Sequence, residues 1–446
     1  MRINKLELSN FRCFEQYELE LADRFTLLIG NNGSGKTAIL DALETGLTGF
    51  LTHLNPVGMR QDNSSLLLSN VYNKEFIHGQ TAVREQFHVL IQLVGIINNR
   101  NIEWGCTTNA NQRSLFPMYY SPSLKNDRIP LFFHGNEFFI SLEKEWNANK
   151  SSPDMYFPIV VYYKAGRLWD SSKTKTSTKN PDSRFGNYKN GLKPIQKEAF
   201  GWFKTQELAS LQKKERRHVL ESVREAMIEM IPDAEHVWWD MDWDELRIKA
   251  VVQGKKQEIP FHLLSDGYRN MIGMVADIAY RMATLNPQLE KDVIKQTEGI
   301  VLIDEIDLHL HPKWQRIVVE RLLNTFPKVQ FVATTHSPFI IQSLYHKEDC
   351  LLWDLEKKQP LEITSKSFED IAEDLQGVEI PQQSRRFLDM EKAAEEYYKV
   401  LKQIPSASEE KKQQLKQKLD ELLMPYSDDP AYQAFLKMER LAIEGK

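Results

Sequence analysis

Cysteine is scarce in this chain of 446 residues. Cys13, Cys106 and Cys350 are far apart, and no Cys-x-x-Cys pair occurs. A disulfide framework or a cysteine-rich zinc site is not expected, and a reducing, cytoplasmic location fits. No stretch approaches the roughly eighteen uninterrupted apolar residues of a membrane span. The opening Met1-Arg2-Ile3-Asn4-Lys5-Leu6-Glu7-Leu8 mixes charge into alternating apolar positions, which reads as a β-strand and not as a signal peptide. An excess of one charge is lacking too. There are 57 Lys and Arg against 62 Asp and Glu, a net charge of -5, so any contact with DNA must be local or come through a partner. Internal repeats are absent. The remaining composition, 41% hydrophobic and 27% charged, can bury a sizeable core, and the length suggests about two to three domains.

Residues 1–50 read as strand, strand, glycine-rich loop and helix, with Phe25–Ile29 a buried run and Ala38–Leu47 at helical spacing. Phe87–Ile96 and Asn101–Cys106 suggest a hairpin turning at Asn98-Asn99, and Pro158–Tyr163 another buried strand. Residues 171–190 form a polar loop, residues 192–231 a helical stretch with the charged run Lys213–Arg217, and residues 235–260 a hairpin with Gly254 in its turn. Trp238, Trp239 and Trp243 are read as packing residues. From residue 266 an α/β pattern returns: a long helix, strands at Gly299–Asp304 and Gln330–Thr334, and a helix from Pro312 between them. Residues 384–446 read as helical, a small hairpin domain with a capping box at Ser406 and Glu409 and a helix start at Asp429-Pro430. The expected division is 1–165, 166–260, 261–365 and 366–446, the last a candidate for partner docking.

Gly30-Asn31-Asn32-Gly33-Ser34-Gly35-Lys36-Thr37 matches Gly-x-x-x-x-Gly-Lys-Thr between a strand and a helix, and the binding set is read through Ala38. Such a loop curls its N–H groups around phosphate oxygens, and the following helix adds its positive end. Lys36 is expected to reach the β- and γ-phosphates of ATP, and Thr37 to bind Mg²⁺. The apolar strand ending in Asp304-Glu305 supplies an acid for Mg²⁺ and a general base for the attacking water. His336 closes another apolar strand, where it can meet the γ-phosphate or serve as a structural cap. Leu264-Ser265-Asp266-Gly267 opens the long helix, either as a second anion pocket or as an ordinary turn and N-cap.

Together these segments resemble the ABC-type ATPase heads of the SMC and RecF families. Leu264-Ser265-Asp266-Gly267-Tyr268 is similar to their signature motif, with Asp266 in place of a glycine. His336 is similar to the switch histidine, and Glu305–Pro312 to the Asp-loop of OLD-like ATPases. Asn10-Phe11-Arg12 resembles the start of SMC-type heads, where an arginine approaches the nucleotide. The resemblance implies an α/β P-loop head with a mixed β-sheet, a helical insertion and a C-terminal helical region. It also implies a head-to-head dimer or larger oligomer with ATP at the interface, Ser265 and Gly267 acting in trans. No Q-loop glutamine is assigned; Gln92 is a weak candidate. The pair His309 and His311 is read as a loop facing the opposing subunit, since its spacing suits zinc poorly.

The stretch 264–343, with Asp277-Ile-Ala-Tyr-Arg-Met-Ala-Thr-Leu-Asn-Pro287 and Trp314-Gln-Arg, resembles the ATPases of Septu-type (PtuA-like) and retron-associated anti-phage systems, as do Tyr162–Arg167 and the charged helical tail. That implies an ATPase that works with a small HNH nuclease (PtuB-like) on DNA, with no membrane involved. After Cys350 only about a hundred residues remain, without an acidic metal cluster, so the nuclease is expected in trans. A RecF-like DNA repair factor and an ATP-stabilised scaffold are the alternatives. Two basic clusters, Lys173, Lys175, Lys179, Arg184 and Lys189 in the loop and Lys213, Lys214, Arg216 and Arg217 on a helix, are either phosphate contacts or solvated surface.

Overall fold

The computed structural model describes residues 1–54, 73–77, 80–84, 89–108, 115–120, 131–132, 144, 155–166, 188, 192–252, 254–362, 367–374, 385–403, 408–426 and 430–444. The basic loop cluster from Lys173 to Lys189 lies outside them. The chain divides into two compact units, Met1–Phe368 and Glu369–Lys446.

The first unit begins with strands β1 (Arg2–Phe11), β2 (Phe14–Glu20) and β3 (Phe25–Ile29), then helix α1 (Lys36–Leu54). Strands β4 (Asn73–Ile77), β5 (Gln80–Arg84), β6 (Leu90–Ile97), β7 (Arg100–Thr108), β8 (Leu115–Tyr120), β9 (Leu131–Phe132) and β10 (Ile159–Tyr163) follow. Next come α2 (Gln196–Lys213), α3 (His218–Met230), β11 (Ala234–Asp240), β12 (Glu245–Val252) and β13 (Lys255–Pro260). The remainder is α4 (Asp266–Leu285), α5 (Val293–Gln296), β14 (Gly299–Ile303), α6 (Pro312–Gln315), α7 (Val318–Thr325), β15 (Val329–Thr334), α8 (Pro338–Gln342), β16 (Cys350–Asp354) and β17 (Gln359–Leu361).

The central sheet runs β10-β14-β15-β3-β16-β17, parallel except for β17. Every residue of β3, β10, β14 and β15 is buried, as expected when both faces of a parallel sheet are covered. A second, antiparallel sheet runs β2-β1-β6-β7-β8-β9. Helix α1 touches β6, β7 and β8 of this sheet and β14 and β15 of the other, so its apolar residues Ile39, Leu40, Leu43 and Leu47 are all buried. In β1 the register against β6 shifts between Ile3 and Lys5. That bulge reverses the alternation, which is why Ile3, Leu6 and Leu8 are all inside. The β6–β7 hairpin turns at Asn98 and Asn99, both left-handed (φ 48° and 61°), the backbone of a type I′ turn.

Several local expectations change. The helical stretch 192–231 is broken: α2 stops at Lys214 in the left-handed region (φ 52°), and α3 resumes at His218. Of the second basic cluster only Lys213 is therefore helical, the rest forming a connection. The expected hairpin of 235–260 is a three-stranded sheet, β11-β12-β13. Trp243 is 70% exposed, with the Arg247 guanidinium 5.4 Å from its ring centre, so it is not a core residue.

The second unit holds α9 (Phe368–Asp374, which begins at the division), α10 (Arg385–Leu401), α11 (Glu409–Leu423) and α12 (Pro430–Glu444). Tyr397, Val400, Leu401, Leu419 and Leu436 form its core, so α10, α11 and α12 pack together where a hairpin was expected. Helix α11 has Ser408 at its N-cap. Ser406 and Asp429, the caps read from the sequence, lie outside the described residues.

A polar residue inside an apolar strand joins the sheets. Gln330, 2% exposed, accepts from the Ile3 N–H (2.9 Å) and donates to the carbonyls of Ile3 (2.6 Å) and Ala22 (2.8 Å). Buried main-chain groups stripped of a partner cost about 1–3 kcal/mol each. Gln330→Leu should therefore destabilise this unit by roughly 2–4 kcal/mol, read as a lower denaturant midpoint. A wild-type midpoint would show that the amide is dispensable.

Candidate functional site

Strand β3 delivers the chain to Gly30, and the loop up to Lys36 passes through left-handed backbone at Gly33 and Gly35. At Gly35 (φ 97°) a Cβ would stand 2.5 Å from the Phe14 ring and 2.7 Å from Cys13 Sγ, so the β1–β2 turn lies directly on the loop. The Lys36 side chain folds back inside this curl and donates to the carbonyls of Gly30 (2.7 Å) and Asn31 (2.9 Å). Burial pulls its pKa below the ordinary 10.5, while Asp304, Glu356 and Glu305 push it up. Glu356, on the β16–β17 turn, accepts from the Asn31 N–H (2.8 Å) and side-chain amide (3.2 Å). Asn32 is exposed, and Ala38 is buried in the first turn of α1.

Thr37, in that first turn, donates to Asp304 Oδ2 at 3.0 Å. Thr334, the last residue of β15, donates to Asp304 Oδ1 at 2.7 Å and accepts from the Glu305 N–H at 2.7 Å. Directly after the strand the backbone turns left-handed at Glu305 (φ 50°), a conformation that costs a non-glycine residue ~1–2 kcal/mol. Strain of this kind collects at functional sites. His336 is exposed two residues beyond β15. Its neighbours are anchored: Thr335 donates to Asp307, and the Ser337 hydroxyl caps α8 by accepting from Phe339 (3.1 Å). Lys36, Thr37, Asp304, Glu305 and His336 thus stand on the carboxyl-terminal ends of adjacent parallel strands, or on the loop and helix that follow β3.

Arg12 lies on the same face of α1. It is left-handed (φ 49°), and its Nη1 is 2.6 Å from Asp41, one helical turn past Thr37. Lys164, just after β10, pairs with Glu44 (2.8 Å) and lies 3.6 Å from Asp41. Thr334, Asp41 and Glu356 were not singled out in the sequence, and Lys164 stood there only within the segment Tyr162–Arg167. Only Thr334, within the Thr-Thr-His run, carried a local signal. Gln92 sits in β6 and donates to Glu103 on the neighbouring strand (3.2 Å).

Ser265 and Gly267 stand elsewhere. With Tyr268, His309, Leu310 and Trp314 they line a groove of about 850 Å³. Ser265 is the N-cap of α4, but its hydroxyl makes no hydrogen bond to that helix. At Gly267 a Cβ would meet the His309 carbonyl oxygen at 2.3 Å. His309 is itself left-handed (φ 61°), and His311 Nδ1 accepts from the Lys313 N–H (3.2 Å) as the cap of α6. Among the described residues no group of three potential metal ligands from His, Cys, Asp and Glu occurs.

The donor set fits a nucleoside triphosphate with magnesium. The Thr37 hydroxyl and the Asp304 carboxylate are adjacent hard oxygen donors. The buried Ser34 hydroxyl has no hydrogen-bond partner among the described residues. Lys36 is held inside the loop by carbonyls that phosphate oxygens can replace.

This sheet order, with its phosphate loop after β3 and acid pair after β14, is that of a P-loop ATPase domain. A family model described as an AAA domain matches residues 5–235, just over half of the chain, and one described as an AAA ATPase domain matches residues 145–341. The chain belongs to the AAA-domain family. Its relatives include a retron Vc95 probable ATPase of Vibrio cholerae serotype O1 biovar El Tor, 27% identical across 80% of this chain and 74% of that protein. A retron Ec83 probable ATPase of Escherichia coli is 24% identical across 77% and 70%. The Septu protein PtuA of Bacillus mycoides (strain KBAB4) is 36% identical across 36% of this chain and 22% of that protein. The SMC head domain from Thermotoga maritima aligns with 79% of this chain and 94% of that one, at 15% identity and a TM-score of 0.41. Among the described residues no helix is long and apolar enough to cross a membrane.

The approach at Gly267 gives that glycine a packing role before any ligand is considered. Gly267→Ala should destabilise the nucleotide-free protein by about 1–3 kcal/mol through overpacking, read as a lower denaturant midpoint. Unchanged stability would mean that the first turn of α4 is free to shift.

Proposed function

We propose that the chain is the ATP-hydrolysing subunit of a bacterial, cytoplasmic anti-phage defence complex. The observation that carries the ATPase part is the convergence of Thr37, Asp304 and Glu305 through hydrogen bonds at Asp304 and Thr334, next to the loop whose carbonyls hold Lys36. In this reading the N–H groups from Gly30 to Ala38 and the Lys36 ammonium hold the β- and γ-phosphates. Thr37 and Asp304 hold Mg²⁺, which supplies positive charge to the phosphate oxygens. Glu305 accepts a proton from the attacking water, and His336 donates to the γ-phosphate. Arg12 approaches the nucleotide from the β1–β2 turn. Ser265 and Gly267 contact the nucleotide of a second copy, in a dimer or larger assembly.

The defence part rests on similarity to retron ATPases and a Septu protein. It implies an HNH nuclease partner that acts on DNA under the control of ATP. Phe435 (56% exposed), Met438 (69%) and Leu441 (48%) along α12 support the second unit as the docking element.

Lys36→Ala should weaken nucleotide binding by about tenfold or more, the loss expected for charge-assisted hydrogen bonds. Glu305→Gln should keep binding but slow turnover by on the order of a hundredfold. Wild-type turnover in Glu305→Gln would remove that residue as the base. The double change Phe435→Asp and Met438→Asp should stop an HNH protein encoded beside the gene from co-purifying, with ATP turnover retained. Intact co-purification would place docking elsewhere.

A further inference from the structure

Tyr163 and Asp277, which lie in two segments singled out in the sequence, have no part in the site described so far. The fold bonds the two segments to one another at Tyr163, the last residue of β10. The Tyr163 carbonyl accepts the peptide N–H of Asp304 at 2.8 Å, one step beyond the ladder pair of Tyr163 with Ile303. At its other end the Tyr163 hydroxyl lies 2.8 Å from Asp277 Oδ2 and 3.2 Å from the Met274 carbonyl, both halfway along α4. A hydroxyl has one proton, and the carboxylate is the closer and stronger acceptor.

Asp277 is 0% exposed. Its carboxylate accepts from Tyr163, from the Ile195 N–H (3.3 Å) and from Arg281 Nε (3.1 Å). Arg281, 1% exposed, also donates to the Lys193 carbonyl. A carboxylate so deeply buried is tolerated only when its oxygens are occupied. Its three donors come from β10, from the segment entering α2 and from α4 itself, so Asp277 pins all three together. Residues that merely filled space here would need neither the charge nor the hydroxyl.

We propose that Tyr163 is a positioning residue of the ATP site. Through its carbonyl it sets the peptide of Asp304. Through its hydroxyl it ties that peptide to α4, the helix that has Ser265 at its N-cap and Gly267 in its first turn. A shift of α4 relative to β10 is thereby transmitted to the carboxylate that Thr37 and Thr334 hold. This rests on the ATPase reading for its consequence, though not for the bond itself.

Tyr163→Phe keeps the ring and leaves Asp277 with its Ile195 and Arg281 donors, so the fold should survive. Hydrogen exchange on the nucleotide-free full chain should speed up at the Asp304 amide by on the order of tenfold, the loss of one hydrogen bond to a charged group. Exchange in β3 and the start of α1 should stay at wild-type rates. In MgATP turnover, kcat should fall by about tenfold with KM within about twofold of wild type, the signature of misplaced groups and not of lost binding. Wild-type exchange at Asp304 would overturn the proposal, whatever the kinetics. So would exchange rising equally across β3, β15 and α1, which marks general loosening. A wild-type chain that failed to hydrolyse MgATP would instead overturn the ATPase reading, and the exchange measurement would still decide whether Tyr163 holds Asp304.

Discussion

Asp304 has two carboxylate oxygens, and the fold supplies each with a hydroxyl from a different element. Thr37 reaches one from the first turn of α1, and Thr334 reaches the other from the end of β15. The remaining site geometry depends on this arrangement. It fixes the helix after the phosphate loop against the neighbouring strands at their carboxyl-terminal ends. It also leaves Thr334 able to accept the Glu305 N–H, so the left-handed turn at Glu305 has a main-chain anchor. The carboxylate is 4% exposed, and such a group is stable only while both oxygens are bonded. A metal ion entering beside Thr37 would therefore exchange one strong partner for another without exposing the charge.

Electrostatics in the loop follow the same logic. Lys36 is buried, which depresses its pKa, while Asp304, Glu305 and Glu356 oppose the depression. The ammonium is held by main-chain carbonyls of its own loop, which are neutral dipoles. A phosphate oxygen carries more negative charge and makes a stronger acceptor. Exchanging carbonyls for phosphate is thus favourable at the lysine, and it would free the loop to present its N–H groups.

Much of this could be read from the chain because the informative residues are contiguous. The phosphate loop, the apolar strand with its two terminal acids and the Thr-Thr-His run are each local patterns, and apolar runs of about five residues marked the parallel strands. The links between them were not legible. Gln330 and Ile3 lie 327 positions apart, and Thr37 and Asp304 lie 267 apart. Nothing local marks such partners, although a lone glutamine in an apolar strand hinted that a main-chain group needed it. The break at Lys214 was hidden because charged residues suit a helix and a left-handed C-cap connection equally well. Trp243 was misread because its apolar mass outweighed its place in the β11–β12 turn.

Ser265 and Gly267 were read together, yet their physical positions differ. Gly267 is required where the α4 backbone meets the His309 carbonyl, so its identity is explained within one chain. Ser265 occupies the N-cap of a 20-residue helix without bonding to that helix. An N-cap serine that closes onto its own helix typically contributes ~1 kcal/mol, and this one forgoes it. Ser265 is exposed at the helix start, where first-turn N–H groups lack intrahelical acceptors, an arrangement suited to an incoming anion. The contact proposed with a second copy's nucleotide therefore rests on Ser265, while Gly267 sets the path of the backbone that presents it. Because that path is pressed against His309, four residues after Glu305, a shift of the helix start cannot leave the loop that carries the acid unaffected.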